Sequence, residues 1–124
     1  MNKIICNSVE LVFKSDVLSM DPGEAPVLED EMEWLFVDIA ERPVYQSSVK
    51  QNDAGPTNEE TVTVKVNHSR FTSVIRQFNM FYMILRMKTN AETFYVGNLE
   101  YPCYLEFTSD KIYDTFTFKA ISPA

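Results

Sequence analysis

The sequence predicts a mainly β (α+β) protein: an antiparallel β-sandwich or partly closed barrel of about seven strands with one short helix. Three observations predict it. Nine Phe, six Tyr and one Trp stand against three Gly in 124 residues, and aromatic and β-branched side chains suit a pleated, half-buried surface. Apolar and polar residues alternate in several short segments, which is the strand period. A single segment carries a clear helical stripe: Phe71, Val74, Ile75 and Phe78 fall at i, i+3, i+4 and i+7.

In chain order, residues 7–14 read as a strand, with Val9, Leu11 and Phe13 on one face and Glu10 and Lys14 on the other. A long loop is expected at 15–32, where Asp21-Pro22-Gly23 signals a turn and Pro26 blocks regular pairing. Residues 33–39 are apolar enough for a buried strand, although Met32, Leu35, Phe36 and Ile39 also fit helical spacing. After Arg42-Pro43, residues 44–46 suit a short edge strand. Residues 47–59 are polar and include Asn52-Asp53-Ala54-Gly55-Pro56, which reads as a second long loop. Residues 60–67 are the clearest strand, since Val62, Val64 and Val66 alternate with Thr61, Thr63 and Lys65. The helix follows, with Asn67 or Ser69 to cap it. Residues 79–87, 93–97, 101–108 and 114–120 then read as a four-strand antiparallel meander, in which Cys103, Leu105, Phe107, Phe116 and Phe118 face the core. The length fits one domain, 1–124.

Composition narrows the function. The formal net charge is −7, which disfavours direct nucleic-acid binding and an anionic membrane surface, because phosphates need a basic face. No stretch approaches the ~20 apolar residues of a membrane span, and the N-terminus lacks the apolar run of a signal peptide. Nine of the 18 acidic residues lie between Ser15 and Glu41, with no Lys or Arg among them. Such a run is either a solvated loop or a docking surface for a basic partner.

Catalytic and metal chemistry find few residues. His68 is the one histidine, and no GxSxG elbow is present. Two distant cysteines, Cys6 and Cys103, make neither a zinc site nor a redox pair, and they are expected to be reduced, buried thiols. Glu29-Asp30-Glu31 and Glu33 lack the order and glycine of a calcium loop. Three glycines cannot build a phosphate cradle. No catalytic residue, metal or cofactor is expected. Tyr82, Tyr95, Tyr104 and Tyr113 lie on or near strands whose other faces already carry apolar residues, so some of them face outward. Tyrosine is favoured at protein interfaces.

In the last third of the chain, Tyr95-Val96-Gly97 closes one hairpin and Thr115-Phe116-Thr117-Phe118 a second, which stops near Ser122-Pro123. This pattern resembles the C-terminal region of small virion proteins encoded in the structural-gene clusters of bacteriophages and prophages of Bacteroidetes. Thr89-Asn90-Ala91 and Ser109-Asp110-Lys111 stand where that family has Gly-rich turns. The resemblance implies a tail or neck-region building block, present in the host cytoplasm during assembly and then in the virion. The expected function is therefore a non-enzymatic assembly subunit. It would bind other virion proteins and copies of itself, with closure into a ring, through Glu29, Asp30, Glu31, Glu33, Tyr82, Tyr95 and Tyr104. The alternative is a small β-sandwich module that binds a ligand or carbohydrate.

Overall fold

The computed structural model describes residues 2–21, 24–66, 81–109 and 114–123. Eleven strands form among them: β1 (Asn2–Ile5), β2 (Ser8–Phe13), β3 (Val17–Ser19), β4 (Val27–Leu28), β5 (Leu35–Phe36), β6 (Val44–Asn52), β7 (Gly55–Val66), β8 (Met83–Lys88), β9 (Thr93–Val96), β10 (Tyr104–Ser109) and β11 (Asp114–Pro123). The only helical element among the described residues is a 3₁₀ turn over Lys14–Asp16. The expected helix with Phe71, Val74, Ile75 and Phe78, and also His68 and Tyr113, lie outside the described residues.

A five-stranded sheet has the order β1-β6-β7-β11-β10, and a four-stranded sheet has the order β5-β2-β8-β9. A two-stranded ribbon joins β3 and β4. Every pairing is antiparallel and no sheet closes on itself, so the sandwich is formed and the barrel is not.

The alternating strands supply the core. Val62 and Val64 on β7 stand opposite Phe118 and Phe116 on β11, and Leu105 on β10 continues the row. From the four-stranded sheet come Val9, Leu11, Met83, Leu85, Met87 and Val96, all in the same buried cluster. Burying one such side chain contributes roughly 1.5–3 kcal/mol. The four-stranded sheet is also covered on its other face. Val12 and Ile84 point away from the main core and are buried with Val17 against Met20, Leu28, Trp34 and Leu99. The 17–34 excursion is thus a third layer, and β2 is buried on both sides.

Several expectations are corrected. Residues 47–59 are not a loop: β6 and β7 run as one long hairpin through them, closed at Asp53-Ala54. Residues 44–46 do not form an edge strand, because β6 has nine residues and lies between β1 and β7. Residues 33–39 do not form a buried strand. Only Leu35–Phe36 form a strand there, at the exposed edge of the sheet, while Val37 is buried in the core and Ile39 makes a lone bridge to Val66. The 15–32 region is less irregular than expected, since it holds most of the 3₁₀ turn and the β3–β4 ribbon. The four-strand meander is in fact two hairpins in different sheets, β8–β9 and β10–β11. One bridge between Met83 and Cys103 ties them together.

That junction depends on Gly97. Its φ is +82°, and a Cβ there would sit 2.9 Å from Cys103 Sγ and 3.0 Å from its backbone nitrogen. Gly97→Ala is expected to destabilise by about 1–3 kcal/mol, combining left-handed strain with this clash. Chemical denaturation checks it; an unchanged midpoint would show that the turn relaxes freely.

Candidate functional site

The seven residues proposed from the sequence fall into two places. Glu29, Asp30, Glu31 and Glu33 follow β4 and are all exposed. The turn that carries them is closed by the Met32 N–H donating to the Glu29 carbonyl at 3.1 Å. Within it Glu31 has φ 69°, a left-handed conformation that costs a non-glycine residue roughly 1–2 kcal/mol. Side chains that lack apolar cover stand along the same excursion: Leu18, Val27, Met32, Leu35 and Phe36, the last 64 % exposed. Between the turn and β2 lies a hollow of about 330 Å³ lined by Val12, Phe13, Asp16, Glu31, Met32, Glu33 and Leu35. This end of the molecule is therefore both acidic and apolar.

The excursion is anchored over a charged row. Across the outer face of the four-stranded sheet, Phe36, Glu10, Arg86 and Tyr95 stand opposite one another on β5, β2, β8 and β9. Glu10 is 0 % exposed. Arg86 holds both its oxygens, with Nε 3.2 Å from Oε1 and the terminal nitrogen on Oε2. Lys88 Nζ adds a contact at 3.2 Å. Burial pushes the Glu10 pKa up, but the hydrogen bonds and charges of Arg86 and Lys88 outweigh it and hold the carboxyl below its usual range. Trp34 roofs the pair: the Arg86 guanidinium lies 4.6 Å from its ring centroid. Tyr95 packs beside it, ring centroids 6.1 Å apart. Tyr95 is thus half-buried in the anchor, and the structure joins it to the acidic run through Trp34. The sequence reading missed this anchor. Its signal was a glutamate between Val9 and Leu11, with two basic residues, Arg86 and Lys88, spaced by two on another strand.

Tyr82 and Tyr104 line one hollow elsewhere, at the corner where the sheets join. Lys14 N–H donates to the Tyr82 carbonyl at 2.9 Å, and Met83 and Cys103 exchange both backbone bonds at 2.8 and 2.7 Å. The intervening loop is held by Asn98, whose Oδ1 accepts from the N–H groups of Glu100 (2.9 Å) and Tyr101 (2.8 Å). Tyr82 projects from this frame, 55 % exposed. A hollow of about 420 Å³ on one side is lined by Lys14, Glu100, Tyr101, Pro102, Tyr104 and Ile121 together with Tyr82. A second hollow of about 530 Å³, also lined by Lys14 and Tyr82, includes Ser15, Val17, Phe81 and Leu99.

Both cysteines are free and buried. Burial raises the thiol pKa of each, helped by Glu92 for Cys6 and by Glu60 for Cys103. Raised thiol pKa values disfavour the nucleophilic thiolate. Cys103 instead donates to the Val96 carbonyl at 3.3 Å. Glu60 accepts a 2.7 Å hydrogen bond from Tyr45. No group of three metal-ligating side chains occurs among the described residues. No family model matches the chain, and neither does any curated protein or solved structure.

Proposed function

We propose that this chain is a non-enzymatic assembly subunit that binds neighbouring protein subunits, copies of itself included. The observation that carries this reading is the apolar surface left uncovered on the 17–36 excursion, set among the carboxylates of Glu29, Asp30, Glu31 and Glu33. Large exposed apolar side chains set among charges favour protein contact. The anchor under Trp34 supports it, because it holds the excursion in a defined position before any partner arrives.

A second surface suits the same role. β1 pairs with β6 only as far as Ser47, and β10 meets β11 only from Lys119 inward. The core cluster reaches Tyr45 and Ala120 at that level. Beyond it, the ends of β6, β7 and β11 continue as a three-stranded arm, with Val49 and Ile121 exposed on it. The setting we infer is a bacteriophage tail or neck region, with the subunit passing from host cytoplasm into the virion. That part of the reading rests on the resemblance of the last third of the chain. Head-to-tail contacts between unlike surfaces close into rings when the rotation allows.

Sedimentation velocity over a range of protein and salt concentrations tests the reading. Self-association is expected to weaken as salt rises, since exposed charges are screened beyond about 8 Å at physiological ionic strength. The variant Glu29→Gln, Asp30→Asn, Glu31→Gln, Glu33→Gln should associate more slowly while its melting temperature changes little. A single monomeric species under all conditions would overturn self-assembly.

A further inference from the structure

The corner groove borders both contact surfaces, sharing Val17 with one and Ile121 with the other, but its chemistry differs from theirs. We propose that the two hollows flanking Tyr82 form one oligosaccharide-binding site. Sugar rings present flat C–H faces and a rim of hydroxyls. A site for them needs an exposed aromatic face with hydrogen-bonding groups of both polarities around it. Tyr82 supplies the ring, standing between the hollows and lining both. Glu100 can only accept hydrogen bonds from hydroxyls, Lys14 can only donate, and the Tyr101 and Tyr104 hydroxyls do either. No carboxylate of the described residues is within ion-pair distance of Lys14, so its ammonium is available to a ligand. Each hollow falls in the range of roughly 300–1,000 Å³ typical of ligand sites.

The groove is also built in advance. Lys14, Tyr82, Met83 and Cys103 are fastened to one another through their backbones, and Asn98 fixes Glu100 and Tyr101. A rigid site loses less entropy on binding. The same bonds argue against a peptide added as a strand. The N–H groups of Lys14, Met83, Glu100, Tyr101 and Cys103 are already donated within the chain. At these positions the groove offers side chains to a ligand and no free backbone donor. A polyhydroxylated ligand that stacks on Tyr82 and is read by Lys14 and Glu100 fits what remains.

The test is a printed array of microbial, plant and animal oligosaccharides, followed by titration with the strongest binder. Wild type, Tyr82→Ala, Tyr82→Phe and Glu100→Gln are compared, with melting temperature and sedimentation measured for each. Tyr82→Ala is expected to weaken binding about tenfold or more, which is roughly 1.4 kcal/mol. Tyr82→Phe should retain most of it, and Glu100→Gln should lose part. Melting temperature and self-association should stay unchanged, so this outcome is separable from that of the assembly reading. Absence of any glycan signal would overturn the proposal. So would glycan binding that survives Tyr82→Ala, or loss of self-association in that variant, which would make the groove a subunit contact.

Discussion

Phe116→Ala is expected to destabilise the fold by about 3–5 kcal/mol, the range for removing a buried aromatic ring. The side chain is fully buried. It sits on β11 opposite Val64 and Phe107, and its ring meets Phe118 edge-on with centroids 6.2 Å apart. β11 is the strand that joins β7 to β10, so the cavity opens inside the main core. Its complete burial places the cost high in the range. Urea denaturation followed by Trp34 fluorescence measures it. A midpoint within error of wild type would mean that the ring is not a core element.

Arg86→Met is expected to cost about 3 kcal/mol through a different mechanism. Removing one partner of a buried pair leaves the other charge in low dielectric, which costs roughly 3–5 kcal/mol. Lys88 stays and Arg86 is itself partly open, which places the loss toward the low end. The double variant Glu10→Leu, Arg86→Met should recover much of it, because a buried pair replaced by apolar side chains is often neutral. The pH dependence carries a sign that separates the two states of the site. In wild type the folded Glu10 carboxyl lies below its unfolded value. Its contribution is then fully present above the ordinary glutamate range near about 4.3 and is lost as pH falls through the lower folded value. In Arg86→Met, burial is opposed by Lys88 alone, and the carboxyl moves up. Glu10 then favours the fold at low pH, its contribution fully present below about 4.3 and lost as pH rises through the higher folded value. Stability curves between pH 3 and 7 that keep the same slope in both proteins would refute the role of Arg86.

These two sites also show what a single sequence discloses. The Val62-Val64-Val66 and Phe116-Phe118 alternations were legible because each strand has one buried and one wet face. The same rule misread residues 47–59. In the arm, neither face reaches the core, so Lys50, Gln51, Asn52 and Asn58 show no period, and a β-hairpin looks like a polar loop. It misread β2 in the opposite sense: Glu10 was placed with Lys14 on the face opposite Val9, Leu11 and Phe13, but that face is buried too, under a third layer that also covers Val12. For residues 33–39 the apolar run suggested burial, yet Leu35 and Phe36 lie on an uncovered edge. The hairpins β8–β9 and β10–β11 were both visible from turns and alternation. Their separation into different sheets was not, since local pattern carries no information on which sheet a hairpin joins. At the candidate sites, the exposure of Glu29 to Glu33 followed from charge. The partnership of Tyr82 with Tyr104 arises only from the Met83–Cys103 bridge, which links residues far apart in sequence.

The three-stranded arm has a mechanical consequence. β11 lies in register with β7 over ten residues and β6 over nine, and these strands run without interruption from the tip into the core. A pull on β7 at the tip, directed along the strands, loads the flanking ladders in shear, so many backbone hydrogen bonds share the force at once. A sideways pull on the outermost strand β10 is different: it opens its six-residue ladder like a zipper, one bond at a time. Traction along the arm is therefore shared by the two long ladders that β7 makes with β6 and β11. The same force applied across β10 meets only the strength of a single pairing.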